Sequence, residues 1–394
     1  MILSIWRYSH LALAISSFVF ILLASITGII LAIQPISEQL EPYKTEDLGS
    51  LTIAQTVTVF QDTYPEILDI KINHNDFVVA SVFTNNGENL EGYFNPRTAE
   101  FLSEHIKPSP FFQWITNFHR SLFLKSTGRF LVGLGSFLLF LIAITGSILI
   151  LKRQKGFIKF FSRIIKENFN QYWHIVLGRL SLIPIIIITL TGVYLSLEKF
   201  DALPKVDHKH QIDYDSIKAT PKRSITNFDL FKTTPLNELE SLEFPFSSDV
   251  EDVFTLQLHS EHLIINQYTG EILSRTETSW VHTLSKLSLK LHTGQGSIIW
   301  AIILAIASVN ILFFIYSGFA MTFKRRASKL KNVHALSDAE LLILVGSENG
   351  STFQFANAFY KQLLLQKQKV HIAHLNHFKL TYKIKHIIIF TATY

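Results

Sequence analysis

Four apolar runs decide what this chain can become: residues 11–33, 130–151, 175–197 and 297–323, none containing an Asp or Glu. A hydrocarbon layer about 30 Å thick needs roughly twenty apolar residues in a helix, so each run reads as a membrane span rather than a buried core helix. The runs share a plan. Each has an imidazole at one end and a small hydroxyl-glycine step toward the other: His10 with Thr27-Gly28, His119 with Thr145-Gly146, His174 with Thr191-Gly192, and His292 with Ser317-Gly318. Transporters that move ions or protons place carboxylates inside the bilayer. Their absence here favours a conduit that relies on cofactors.

Composition agrees with a membrane protein, since 48% of the 394 residues are hydrophobic and 33 are Phe. There is no Cys, which excludes disulfides, thiolate metal sites and cysteine nucleophiles. The net charge of +5 is distributed beside the spans, not on one basic face, so nucleic-acid binding is not expected. Residues 152–172 carry six Lys/Arg against one Glu, and residues 324–332 carry five and no acid. Residues 34–110 hold twelve Asp/Glu against four Lys/Arg. The positive-inside rule then predicts both basic segments and both termini in the cytoplasm, and the two long loops outside. The first span is too long for a signal peptide and no small-residue cleavage site follows it, so it is expected to stay as an anchor.

The expected division is a first span at 1–33, an outer module at 34–110, a second span at 111–151, a basic loop at 152–173 and a third span at 174–197. A second outer module at 198–288, a fourth span at 289–323, a basic linker at 324–340 and a C-terminal domain at 341–394 follow. Each outer module reads as α+β: a helix at 51–64, strands at 76–84 and 89–94 around Asn85-Asn86-Gly87, then strands at 253–258 and 262–267 in the second. Residues 204–223 read as linker. His10 to His119 is 109 residues and His174 to His292 is 118, so the chain is a tandem duplication with an axis along the membrane normal. In the C-terminal part, a buried-strand pattern at 341–345 leads through a polar turn into a helix at 353–366. Phe355, Ala358, Phe359 and Leu363 are expected on its buried face. Strands at 370–375 and 386–390 follow, the order of a doubly wound sheet.

Equivalent helices of two halves can face each other in a bundle. His10 with His174, and His119 with His292, can then each supply two axial imidazoles to a b-type haem, one near each membrane face. His282 is a rival outer ligand, and histidines among lipid headgroups are the plainer alternative. The turn Ser347, Glu348, Asn349, Gly350, Ser351, Thr352 at a helix start makes a phosphate cradle. It lacks a P-loop lysine, which leaves flavin mononucleotide (FMN) as the natural ligand, with Thr391, Thr393 and Tyr394 at the end of the third strand. His208 and His210 are a possible surface metal pair, for which a solvated loop is the plainer reading.

Trp6-Arg7-Tyr8-Ser9-His10, Phe118-His119-Arg120-Ser121-Leu122, Trp173-His174 and Leu291-His292-Thr293-Gly294 resemble the PepSY-associated transmembrane proteins. Asn266-Gln267-Tyr268-Thr269-Gly270-Glu271-Ile272-Leu273 is similar to the closing hairpin of a PepSY domain, and residues 95–102 are a looser copy with Ala99 in place of Gly. Residues 341–394 resemble the start of a flavodoxin-like domain of the sulfite-reductase and cytochrome P450 reductase type. The resemblance implies a four-helix transmembrane bundle with two extracytoplasmic α+β PepSY-like insertions and a truncated α/β flavodoxin-like C-terminus, in a bacterial inner membrane. It implies an oxidoreductase. Electrons would pass from NADPH through FAD and FMN to two haems, then to a ferric siderophore or ferric iron outside. FAD and NADPH would belong to a missing continuation or to a separate flavoprotein reductase. The chain as it stands is accordingly expected to carry haem without stoichiometric flavin. The alternative is a non-redox PepSY module that binds peptides or restrains a protease.

Overall fold

The structure is a computed structural model that describes every residue except 1, 105–107, 165, 167, 201, 205–209, 328–330, 347–350, 379–382 and 392–394, with backbone alone at 2–4, 216, 325–327, 351 and 377. Its contacts divide the chain into two units. A smaller one holds Met1–Leu11, Gly146–Leu180 and Leu312–Tyr394, and a larger one holds Ala12–Thr145 and Ser181–Ile311. Among the described residues, four helical stretches are long and apolar enough to cross a membrane: Ile5–Gln39, Lys125–Arg153, Leu182–Lys199 and Ile298–Lys324. The first comprises most of α1 (Ile2–Leu31) together with α2 (Ile33–Gln39).

In the larger unit, α3 (Ile53–Thr63) starts at a capping box in which the Thr52 side chain accepts from Gln55 N–H and the Gln55 side chain accepts from Thr52 N–H. Strands β1 (Glu66–Ile72), β2 (Val78–Phe83), β3 (Asn89–Phe94) and β4 (Phe101–Glu104) follow. Then come α4 (Pro110–Ser121) and α5 (Lys125–Arg153), whose basic last turn, Lys152 and Arg153, suits the negative end of the helix dipole. Beyond α6 (Phe169–Leu180) and α7 (Leu182–Lys199), the second repeat supplies α8 (Asp229–Thr233), β5 (Leu239–Glu243), β6 (Val253–Leu258), β7 (Glu261–Asn266), β8 (Ile272–Glu277), α9 (Trp280–Thr293) and α10 (Ile298–Ala327).

The two loop modules are not separate. Their strands make one eight-stranded antiparallel sheet in the order β4-β3-β2-β1-β5-β6-β7-β8. The halves join where Ile70 of β1 sits opposite Leu242 of β5. Alternate residues of both halves share one core. Ile70, Val78, Phe94, Leu242, Phe254 and Leu263 pack with Ile53 and Phe60 of α3 and Phe231 of α8. Fully burying a side chain of this size stabilises the fold by about 2 kcal/mol, and the core draws on both modules. Both modules close with the same turn. Asn95 and Asn266 each pair N–H with the carbonyl five residues on, at 2.9 Å, and accept the N–H of Ala99 and Gly270 at 2.8 and 3.0 Å.

Three expected spans are each two helices. Helix α4 ends where Leu122 and Phe123 take left-handed conformations, φ 48° and 59°, so α5 is not its straight continuation. Helix α9 ends at Gly294, φ 84°, where a Cβ would come within 2.8 Å of Ala301 Cα. Helix α6 gives way to α7 at Ser181, whose hydroxyl accepts a 2.7 Å hydrogen bond from Asn310 Nδ2. Residues 111–124 and 289–297 therefore precede the second and fourth spans.

In the smaller unit β9 (Leu341–Gly346), α11 (Ser351–Leu365), β10 (Val370–His374) and β11 (His386–Thr391) form a parallel sheet in the order β10-β9-β11. The most deeply buried face of α11 is offset from the expected one, of which Leu363 still packs against the core. Phe353, Ala356 and Tyr360 cover Ile343, Val345, Val370 and Ile372, whereas Phe355 is 73% exposed. The segment is apolar enough to offer two stripes, and the sheet selects the one that brings Tyr360 Oη within 2.8 Å of Val333 N–H.

Candidate functional site: two imidazole pairs

Helices α4 and α9 lie outside the four spans, and the helix breaks decide where their histidines go. Ser109 and Ser279 cap the two helices, and His119 and His292 fall in their last turns. Trp300 Nε1 donates to Leu291 O at 2.8 Å and Tyr194 Oη to Val281 O at 3.1 Å, which ties α9 to its neighbours on both sides of His292. The His119 and His292 ring centres are 6.3 Å apart at 58°. A straight helix through residue 129 would carry His119 about 15 Å beyond it at 1.5 Å per residue. Because α4 is a separate helix, that displacement does not arise. His282, in contrast, is exposed on α9, ten residues before His292, and takes no part in this pair. In the smaller unit the His10 and His174 ring centres are 6.4 Å apart at 75°.

The hydroxyl-glycine steps hold these rings. Thr27 Oγ1 lies 2.7 Å from His119 Nδ1, Thr191 Oγ1 3.1 Å from His292 Nδ1, and Ser317 Oγ 2.7 Å from His174 Nδ1. Each hydroxyl gives its own proton to the carbonyl four residues back, Leu23 at 2.8 Å, Ile187 at 2.7 Å and Phe313 at 2.7 Å. With its proton on that carbonyl, the hydroxyl accepts from the imidazole. His292 Nδ1 is also 3.0 Å from Ile188 O, a group that can only accept. On His292, then, Nδ1 carries the proton and Nε2 keeps the lone pair that a metal takes, and the same tautomer on His119 and His174 satisfies both contacts of their hydroxyls. Burial, and after it the neighbouring His292, pushes His119 down to about 4. Burial likewise lowers His292. Both are neutral imidazoles at physiological pH.

The glycines make room. A Cβ at Gly192 would lie 3.0 Å from His292 Cε1, and one at Gly146 3.2 Å from His10 Cε1. From sequence these steps read as points of close helix approach or as room for a flat macrocycle; that the hydroxyls of Thr27, Thr191 and Ser317 serve a histidine on another helix has no signature within one span. Nor do the arginines stand out in the sequence. Buried Nε atoms of Arg7, Arg129 and Arg179, with Nη2 of Arg179, have no partner among the described residues.

The spacing of each pair fits one iron. Nitrogens about 2 Å from the metal, each about 1 Å from its ring centre, put two imidazole centres about 6 Å apart. The paired donors, the glycine clearances and the unpartnered guanidinium atoms all suit a haem with its acidic edge.

The second candidate site is less complete. Ser347, Glu348, Asn349, Gly350, Thr393 and Tyr394 lie outside the described residues, as does His208, and Ser351 is described by backbone alone. What is described is the carboxyl edge of the parallel strands. Gly346 and Thr391 are register partners there, next to the half-buried Thr352 in the first turn of α11. That is the edge where open α/β sheets bind ligands. Elsewhere, His210 meets His262 of β7, a pairing across the second module that its position in a polar segment did not suggest.

A family profile describing a PepSY-associated TM region matches residues 6–326 of the chain. A comparison with curated proteins finds none that matches.

Proposed function

The chain belongs to the PepSY-associated TM region family, and from that membership and its two imidazole pairs we propose that it carries electrons across a membrane through two b-type haems. His10 and His174 would ligate one, His119 and His292 the other. The observation that carries the reading is the ring-centre spacing of 6.4 and 6.3 Å in two pairs built alike. A haem held this way supplies a one-electron iron centre with both axial positions filled, suited to passing electrons rather than binding oxygen. The chain's residues hold and tune it. Ser317, Thr27 and Thr191 fix the imidazole tautomers. Arg7 and Arg179 in one unit, and Arg129 in the other, would meet the carboxylates of the macrocycle.

The four spans would form a bundle with the eight-stranded sheet on the extracytoplasmic side, because the Lys/Arg clusters at 152–172 and 324–332 favour the cytoplasm of a bacterial inner membrane. Electrons would enter from a cytoplasmic flavin donor. The β10-β9-β11 order is that of the first three strands of a flavodoxin-like sheet, whose FMN would bind at the edge of Gly346 and Thr391, with FAD and NADPH on a further flavoprotein module. The acceptor outside would be a ferric siderophore or ferric iron, making the chain the membrane part of a ferric reductase.

An absorption spectrum tests this. Reduced protein is expected to show the sharp bands of low-spin b-type haem. His10→Ala or His174→Ala should each remove one haem, and His119→Ala or His292→Ala the other. Haem content untouched by all four changes sinks the assignment. Protein purified without haem would turn the reading toward a peptide-binding module that restrains a protease.

A further inference from the structure

His262 lies on β7 opposite Thr276 of β8. Ser274, two residues earlier on β8, is on the same face of the sheet. His210 reaches this face from the segment after α7. Its Nδ1 is 2.9 Å from Ser274 Oγ, and its Nε2 is in direct contact with His262 Nδ1 and 3.5 Å from Thr276 Oγ1. The two rings stand 4.6 Å apart at 47°. Two imidazole nitrogens thus converge on one point, ringed by hydroxyls, and only an electrophile, a proton or a cation, suits that point.

The duplication shows that the sheet itself does not need this pair. With the turn residues Asn95 and Asn266 superposed in sequence, His262 corresponds to Glu91, which is exposed, while Ser274 corresponds to Ser103. The first module builds the same strands with a carboxylate in place of His262, and its sequence has His105 at the position of Thr276. Metal-ligating imidazoles are oriented by a hydrogen bond at the far ring nitrogen, and Ser274 Oγ offers one to His210 Nδ1.

We propose that His210 and His262 form a binding site for a borderline divalent cation, Cu(II) or Zn(II), on the sheet of the larger unit. Two imidazoles favour these ions over Ca(II) and Mg(II), which take hard oxygen ligands, and the Irving–Williams order puts Cu(II) first. Zinc–nitrogen bonds of about 2.1 Å in tetrahedral geometry hold two ligand nitrogens about 3.4 Å apart, so the rings must separate from their direct contact to admit the ion. Water would complete the coordination. The site is separate from the haem ligands and does not depend on the electron-transfer reading.

The test is equilibrium dialysis of the whole protein, stripped with chelator, against Cu(II) and Zn(II), with bound metal measured by elemental analysis. One saturable site is expected, weakened tenfold or more by His210→Ala and by His262→Gln. His259→Ala, a change at another histidine of the same sheet region, should leave it intact, and Ca(II) should not compete. Circular dichroism of the same samples reports whether each variant is folded. Binding as tight in both variants as in the parent, no saturable site in the parent, or displacement by Ca(II) would each overturn the proposal.

Discussion

At Ser317 the hydroxyl lies 2.7 Å from both Phe313 O and His174 Nδ1, and with its one proton on the carbonyl it accepts from the imidazole. His292 differs, because Ile188 O shares its Nδ1 with Thr191. Removing the hydroxyl should therefore matter more at His174, where a buried N–H left without its acceptor costs about 1–3 kcal/mol. On the proposed ligation, Ser317→Ala is expected to raise the midpoint potential of a haem held by His10 and His174, because an imidazole that no longer donates is a weaker base toward the metal. Thr191→Val should shift the other haem less. Potentiometric titration reads both, and equal shifts, or none, would sink the ranking. Glu240 is a residue of another kind. Burial alone would raise its carboxyl, but hydrogen bonds from Lys286 and His259 outweigh that and hold it below its ordinary value. A depressed carboxylate stabilises the fold at pH above its unfolded value, and that stability is lost as pH falls through the folded one. Since Lys286 lies on α9, Glu240→Gln should lower the melting temperature at neutral pH, and the gap should close through the acid range. A gap that widens on acidification contradicts the assignment.

Elements show where the sequence could be read and where it could not. The spans were legible because twenty apolar residues admit few alternatives. Strands β1 and β5, which join the modules, were not. Glu66–Ile72 carries two acids and a lysine, and Leu239–Glu243 has only two leucines, so neither shows a strand pattern long enough to stand out. Each is a strand because the other pairs with it, which is tertiary information. The breaks before the second and fourth spans were hidden for a related reason: hydropathy stays continuous where the backbone turns, and at Leu122 no glycine marks the turn. The closing turns were easier, since Asn266 to Gly270 is a recognisable signature. There Gly270 adopts φ 72°, and a Cβ would lie 2.4 Å from the buried Phe228 ring. Ala99 holds the matching position at φ 55°. Left-handed backbone costs an L-residue roughly 1–2 kcal/mol, which the first module bears, but only the second sets an aromatic ring against the missing Cβ. Gly270→Ala should therefore lower the melting temperature by clearly more than the backbone cost alone. A neutral result would mean that Phe228 can move at little expense.

For the whole molecule, the duplication has a consequence that neither half shows alone. Each imidazole pair takes one ring from each half, His10 with His174 and His119 with His292. The eight-stranded sheet likewise takes its central pair, β1 and β5, from both halves, and Phe60 and Phe94 share a core with Phe231 and Phe254. A half by itself would expose the β1 edge, an unpaired ladder that invites aggregation, and would hold two histidines from different pairs. The covalent link between halves passes through an exposed basic loop in which Phe157 and Ile158 are 83% and 101% exposed and Gly156 has open space around it. Exposed loops of this kind tolerate cutting. Splitting the chain after Gly156 and expressing both pieces together should thus restore a folded membrane protein with both haems, held by the β1–β5 hydrogen bonds and the shared core. Either piece alone should carry neither haem. A first piece that shows a bis-imidazole spectrum on its own would mean that His10 and His119 are not ligands to different irons, and the two-pair arrangement would fall with it.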